Sequence, residues 1–293
     1  LLKSQGVKRE EPKDDIEVVN DELTVVTKSY NVTTGQMKKR KSIVFKETRG
    51  MTGINELKRN LKAYNSLIEK HKITIDLGDG DKECNNIIYK RRFQNNLHTC
   101  GRYYTKSVFQ TLPSECRKSI KIDGDETAEL DIKSAHCTFL STLDGITLPD
   151  DFDSYTIPKL IELGVSRDFT KGMLFPLLFS KNKLSAIKGI RLKLKEYGLS
   201  HLSAEYMIEC FVEHNPFIEE YLFSERLYGE LQYIDASIAT LVIDYFTDKG
   251  IVVLCYHDSF VIQKKYKDQL HSKIEDSYFE VLGDTTNLVI REV

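Results

Sequence analysis

Asp131 ends the run AELDI, and Asp258 follows the run VVLCYH. Each stands where an apolar strand would otherwise continue. A lone carboxylate on a buried strand is costly unless it is paired, hydrogen-bonded or bound to metal. Two such residues could converge on divalent ions, because magnesium favours carboxylates together with substrate phosphate oxygens. Two neighbouring ions serve in-line phosphoryl transfer, one activating the attacking oxygen and one stabilising the leaving oxygen. Taken singly, each Asp more often marks a strand end or a turn, where Asp is common.

A second constellation lies in SRDFTKGMLFPLLFS, residues 166–180. Ser166 has the chemistry of a helix N-cap. Arg167, Lys171, Phe175 and Phe179 recur every four residues and so share a helix face. Cations in the first turns oppose the helix dipole, which favours anions there. Their placement makes sense if the face binds an anion such as a triphosphate, with the two phenylalanines offering apolar surface to a base or sugar. An ordinary amphipathic helix with a basic rim would show the same period.

The elements that would position these residues are legible in pattern. Residues 118–133 read as two strands joined at Asp123-Gly124, and IVVLCYHDSFVI as strand–turn–strand around His257-Asp258. Between them, helices are expected over 155–163, 166–179, 183–196, 202–213, 215–224 and 230–248, the last stopped by Gly250. A helix over 265–281 and a strand over 287–291 close the chain. Residues 54–71 have helical spacing with a basic opposite face, and 17–46 alternate as short strands. Within the latter, Lys38-Lys39-Arg40-Lys41 is a solvated loop or a phosphate contact. Residues 1–16 read as a linker or frayed terminus, and the leading Leu suggests a fragment or processed product. Strands from distant segments must share one sheet with helices inserted between them. That makes an α+β fold rather than a doubly wound one.

Composition sets the bounds. The 293 residues carry 42 Lys and Arg against 44 Asp and Glu, a net charge of −2. Any polyanion site must therefore come from local clustering of charge. A 41% apolar content excludes a wholly disordered chain. No apolar run approaches the roughly 20 residues of a membrane helix, and no secretory h-region opens the chain. An intracellular protein without membrane contact is expected. The six cysteines form no C-x-x-C pair, and Cys210 and Cys255 sit in core-like settings, consistent with a reducing environment. Cys84, His98 and Cys100 match no common zinc spacing.

Taken in order, the motifs resemble the palm and fingers of a family A DNA polymerase, the group of bacterial DNA polymerase I, with single-subunit phage RNA polymerases as distant kin. GRYYTKSVFQTLP (101–113) resembles the family's T-G-R-L-S … L-Q-N-I-P stretch. ELDIKSAH (129–136) resembles motif A, and Arg167-x3-Lys171-x3-Phe175-x3-Phe179 resembles motif B. FVEHNPFIEEYL (211–222) and LQYIDASI (231–238) resemble two further family helices, and YHDSF (256–260) resembles motif C. The resemblance covers about residues 101–265.

The resemblance implies that Asp131 and Asp258 hold two Mg2+ ions (or Mn2+), helped by the carbonyl of Ile132. It implies that Arg167 and Lys171 hold the triphosphate, Lys171 protonating the leaving pyrophosphate, and that Phe175 and Phe179 pack against sugar and base. Arg102, Gln232 and His257 would touch the primer–template, with Gln110 and Arg117 as further contacts. The chain departs from the family at four positions. His136 replaces the Glu five residues after the first Asp, and it could still block a ribose 2′-OH. Phe179 lacks the family's Tyr hydroxyl, and Ser180 replaces Gly. Pro176 lies inside motif B and should kink or end the helix.

The expected architecture is a right-hand fold with an antiparallel β palm, helical fingers inserted in it and a reduced thumb. Its parts are an N-terminal extension (1–50), a reduced thumb-like helical region (51–100), palm (101–148), fingers (149–229) and palm again (230–293). Basic spots at Lys58-Arg59 and Lys90-Arg91-Arg92 could add phosphate contacts. The expected activity is primer extension with dNTPs by a monomer without a proofreading exonuclease. An RNA polymerase, primase-like enzyme or terminal transferase is one alternative. A catalytically silent nucleic-acid-binding subunit is another.

Overall fold

The computed structural model describes residues 14–19, 22–30, 37–39, 43–44 and 53–293, apart from 79, 85 and 95. The expectations for residues 1–13 and for Arg40-Lys41 lie outside the described residues. The chain opens with strands β1 (Asp14–Val19), β2 (Glu22–Tyr30), β3 (Met37–Lys39) and β4 (Ile43–Val44), then helix α1 (Ile54–Ile68). Strands β5 (Ile73–Asp76), β6 (Asp81–Glu83), β7 (Tyr89–Gln94) and β8 (Asn96–Thr105) follow. A short helix α2 (Ser114–Arg117) leads into β9 (Ile120–Ile122) and β10 (Asp125–Ile132). Helices α3 (Ala135–Leu143), α4 (Pro158–Ile161), α5 (Arg167–Phe179), α6 (Lys183–Glu196), α7 (Ala204–His214) and α8 (Glu225–Asp248) come next. The chain ends through β11 (Val253–Tyr256), β12 (Ser259–Gln263), α9 (Lys267–Leu282) and β13 (Ile290–Glu292).

The fold is mixed α and β, and its described strand pairs are antiparallel. One sheet runs β3-β2-β1-β7-β8, with β4 on β2. The other runs β11-β12-β10-β9-β5-β6, with β13 on β10. Strands on either side of the helical segment thus pair with each other, as the pattern required. On β10 the alternation is plain: Ala128, Leu130 and Ile132 are buried apolar residues, while Glu129 and Asp131 point to the other face. Among the described residues no helix is long and apolar enough to cross a membrane.

α8 is the long helix that ties the molecule together. Leu227, Leu231, Ala239, Val242 and Phe246 recur at helical spacing and are buried. Burying a Leu, Val or Phe side chain fully contributes about 1.5–3 kcal/mol. The helix begins five residues before the expected position 230, because Gly229 is inside it rather than at its border. A Cβ on Gly229 would collide with Thr99 Cγ2, so the glycine lets α8 lie on β8. Its end is as expected: Gly250 has φ 68°, and Ile251 N–H bonds the Phe246 carbonyl at 2.9 Å.

Four expectations need correction. Residues 51–100 are helical only over α1; from residue 73 onward the region is largely strand. The Lys90-Arg91-Arg92 cluster disguised β7, since Lys90 and Arg91 are buried rather than offered to phosphates. Arg91 Nε donates to the Gly101 carbonyl at 2.8 Å, and its guanidinium lies 4.9 and 4.8 Å from the Phe93 and Tyr103 rings. Pro176 does not stop α5, which runs one turn further to Phe179. The carbonyls near that end accept from Phe223 and Ser224 N–H at 2.9 and 2.8 Å, which offsets the poorer helical bonding around a proline. Residues 14–16, expected within the terminal linker, belong to β1 instead.

Candidate active site

α5 presents two faces. Phe169, Met173, Leu177 and Leu178 are buried in the core. Arg167, Lys171, Phe175 and Phe179 line a cleft of about 250 Å³ instead. Ser166 caps the helix, its hydroxyl accepting from Phe169 N–H at 3.2 Å. The opposite wall comes from β10, the start of α3 and the β11–β12 turn, bringing in Asp131, Ile132, His136 and Asp258, with Arg102 from β8. Nine of the residues singled out from the sequence therefore meet in one place.

The strand register explains the convergence. Asp131 pairs with Ser259 on β12, and Tyr256 with Ser259 across a two-residue turn, so Asp258 sits beside the end of β10. Ile132 N–H donates to the Asp258 carbonyl at 3.3 Å. His257 has φ 60° and Ser134, just before α3, has φ 53°. Such conformations cost non-glycine residues about 1–3 kcal/mol and concentrate at functional sites.

The cleft is electrostatically loaded. Burial and the neighbouring Asp258 push the Asp131 carboxyl up to about 6, although Arg291 and Lys171 pull it back. Arg291 Nε and Nη2 both donate to Asp131 Oδ2, at 3.0 and 2.7 Å. Beneath them, Arg102 Nε donates to Asp235 Oδ2 at 2.5 Å. Burial pushes Asp235 up to about 6; Arg102 opposes this, while Asp258 and Asp131 add to it. Arg102 Nη2 also reaches His136 Nε2 at 3.3 Å, which makes that nitrogen the acceptor. Burial and Arg102 lower His136 to about 4, and the same two causes lower His257 to about 4.

The triphosphate candidates are partly occupied by protein. Arg167 is bonded to Asp153 at 3.0 and 3.3 Å, and its guanidinium lies 5.3 Å from the Tyr155 ring. Lys171 is exposed at the cleft. Phe175 and Phe179 pack edge-on at 5.0 Å, and Tyr228 of α8 meets them at 5.7 and 5.1 Å. His136 completes the set, with its ring 6.0 Å from Phe179. Phe175 remains 59% exposed at the cleft.

Four residues fall elsewhere. Arg117 is only 7% exposed, and it forks onto Glu129 at 2.9 and 2.6 Å while donating to the Leu112 carbonyl at 2.8 Å. It is a core ion pair, which corrects the expectation of a nucleic-acid contact. The Gln110 side chain accepts from Thr105 N–H and donates to the Tyr103 carbonyl, so it latches β8. Gln232 is 4% exposed on α8 and lies outside the cleft lining. The His257 ring is wedged against Tyr104 and Tyr256 rather than turned into the cleft.

Sequence reasoning missed Asp235, Arg291, Asp153, Tyr228 and Ser134. Only Asp235 carried a signal: an acid inside a helix otherwise buried on that side, within the quoted LQYIDASI. Ser134 Oγ is shielded from solvent and has no hydrogen-bond partner among the described residues, and Ser134 lines the cleft. Among the described residues no group of three or more His, Cys, Asp or Glu side chains gathers as a metal site. The cleft instead offers two carboxylates that repel each other, Asp131 and Asp258, and these are the groups that could hold a divalent cation.

No protein-family model matches the chain. No curated protein sequence matches it. Among solved structures, the POL domain of Pol1 from M. smegmatis, in complex with DNA primer-template and dNTP, is similar at 11% identity with a TM-score of 0.44. That match covers 81% of this chain and 51% of the other, so the chain spans about half the length of that neighbour. The functional reading rests on the cleft's own side chains.

Proposed function

We propose that this chain is a template-directed nucleotidyltransferase of the family A DNA polymerase type, extending a primer 3′-hydroxyl with dNTPs. The observation that carries the reading is the meeting of Asp131 and Asp258 with Arg167, Lys171 and the Phe175–Phe179 pair in one cleft. In this reading the β10–β12 sheet is the palm and α4–α7 the fingers. Asp131, Asp258 and the Ile132 carbonyl would hold Mg2+, which supplies charge stabilisation at the reacting phosphate. The chain's own contribution is positional. Arg167 must leave Asp153 to grip a triphosphate, and Lys171 stands ready to neutralise and protonate the departing pyrophosphate. Phe175 and Phe179 stack against base and sugar. His136, neutral and accepting from Arg102 through Nε2, crowds the sugar side.

The test is extension of a labelled primer on DNA and RNA templates, with dNTPs or NTPs, with and without Mg2+. Asp131→Asn and Asp258→Asn are each expected to abolish extension. Wild-type rates in either variant would remove the two-carboxylate assignment, and unprimed NTP incorporation would favour an RNA polymerase or primase.

A further inference from the structure

Two arginine–carboxylate pairs lie on the same face of β10, and they differ in kind. Arg117 and Glu129 form a fork on both carboxylate oxygens, with side chains 7% and 4% exposed. That is the strong bidentate geometry of a permanent pair. Two residues along, Arg291 sets both of its bonds on the single oxygen Oδ2 of Asp131. Arg291 is 42% exposed, and Asp131 is 15% exposed. One oxygen serving two donors, on an arginine that is itself partly exposed, is the weaker arrangement.

Its placement is imposed by the backbone. β13 pairs with β10 in the register Leu130↔Glu292, Asp131↔Arg291 and Ile132↔Ile290. Arg291 is therefore directly across from Asp131, at cross-strand contact distance. It is also part of the cleft wall, with Arg167 and Lys171. A guanidinium held there neutralises part of the repulsion between Asp131 and Asp258.

We propose that Arg291 is the internal cation a divalent ion must displace from Asp131. It thereby sets the ion affinity of the carboxylate pair, and once displaced it becomes a third cation for the nucleotide phosphates beside Arg167 and Lys171. The inference rests on the carboxylate-pair reading above. Arg291 is on this view a positioning residue, and its two effects have opposite signs: it weakens ion binding and strengthens nucleotide binding.

The experiment titrates the 293-residue chain as wild type, Arg291→Gln, Arg291→Lys and Asp258→Asn with Mn2+ alone by calorimetry, and with dGTP in the presence of Ca2+. Arg291→Gln is expected to bind Mn2+ about tenfold tighter, the scale of one released charge-assisted bond, and dGTP several-fold weaker. Arg291→Lys, with the charge but not the fork, is expected between wild type and Arg291→Gln. If Arg291→Gln fails to fold, the Arg291→Lys comparison decides alone. Unchanged Mn2+ affinity in both Arg291 variants, with Asp258→Asn binding none, would overturn this proposal and leave the proposed function standing. Wild-type Mn2+ affinity in Arg291→Lys beside tight binding in Arg291→Gln would show a field effect without displacement, which also overturns it. No Mn2+ binding by any form would remove the carboxylate-pair reading itself, and this proposal with it.

Discussion

Removing the charge of Asp131 should make the metal-free protein more stable. The carboxyl ionises near 6 in the folded protein against 3.8 ordinarily, because it is buried next to Asp258. Between those values the folded state holds a proton that the unfolded chain has released. The group's contribution to stability therefore falls as pH rises from about 4 to about 6, and its full cost stands above that. A shift of roughly two units corresponds to about 3 kcal/mol. The side chain is 15% exposed, so solvent screens little of this. The shift already includes the pull of Arg291, and an Asn at this position can still accept from that arginine. D131N in EDTA is thus expected to gain up to about 3 kcal/mol at pH 8, on the order of 5 °C in Tm, and almost nothing at pH 4. Urea denaturation of both proteins at the two pH values measures it. Added Mg2+ should then stabilise wild type and not the variant. A D131N protein no more stable than wild type at pH 8, or equally stabilised at both pH values, would show that the carboxylate pair is not under electrostatic strain. The physical case for a cation site would go with it.

The buried Arg117–Glu129 pair should behave oppositely: Arg117→Met is expected to lose about 3–5 kcal/mol in denaturant, since it strands a buried carboxylate. Replacing both partners by apolar residues should recover most of that loss. Tyr228→Ala is expected to raise the KM for dNTP several-fold through two lost ring contacts, whereas Tyr228→Phe should match wild type because the contacts are made by ring edges. His136 and His257 ionise near 4 in the folded protein, so their contribution to stability is present above about pH 6.5 and is lost as pH falls towards 4. Proton NMR titration should find both rings neutral across pH 5–8.

Much of the site was legible before any fold was known. The fourfold spacing of Arg167, Lys171, Phe175 and Phe179 needs only a helix to become a face, and Ser166 supplies the cap. Asp131 and Asp258 were visible because charge inside an apolar run is costly, and each required an account. The β9–β10 and β11–β12 hairpins followed from alternation and turn chemistry. The strand content of 73–105 was hidden because β7 is rich in basic residues whose burial depends on aromatic rings brought in by neighbouring strands. The helix α8 starts five residues before the expected 230, and the reason it can run through Gly229, a close approach to Thr99, lies across the fold.

By itself the sequence determined which residue types could do the chemistry, their local spacing and the faces they share, because those depend on helix and strand periods alone. Tertiary structure alone decided the partners. It turned Arg117 inward to Glu129, set Asp235 under Arg102, brought Tyr228 onto Phe175 and Phe179, and placed Arg291 across from Asp131 at a separation of 160 residues. Such pairings come from sheet register and helix packing between distant segments. A charge's neighbours, and hence its ionisation and its role, are properties of that arrangement.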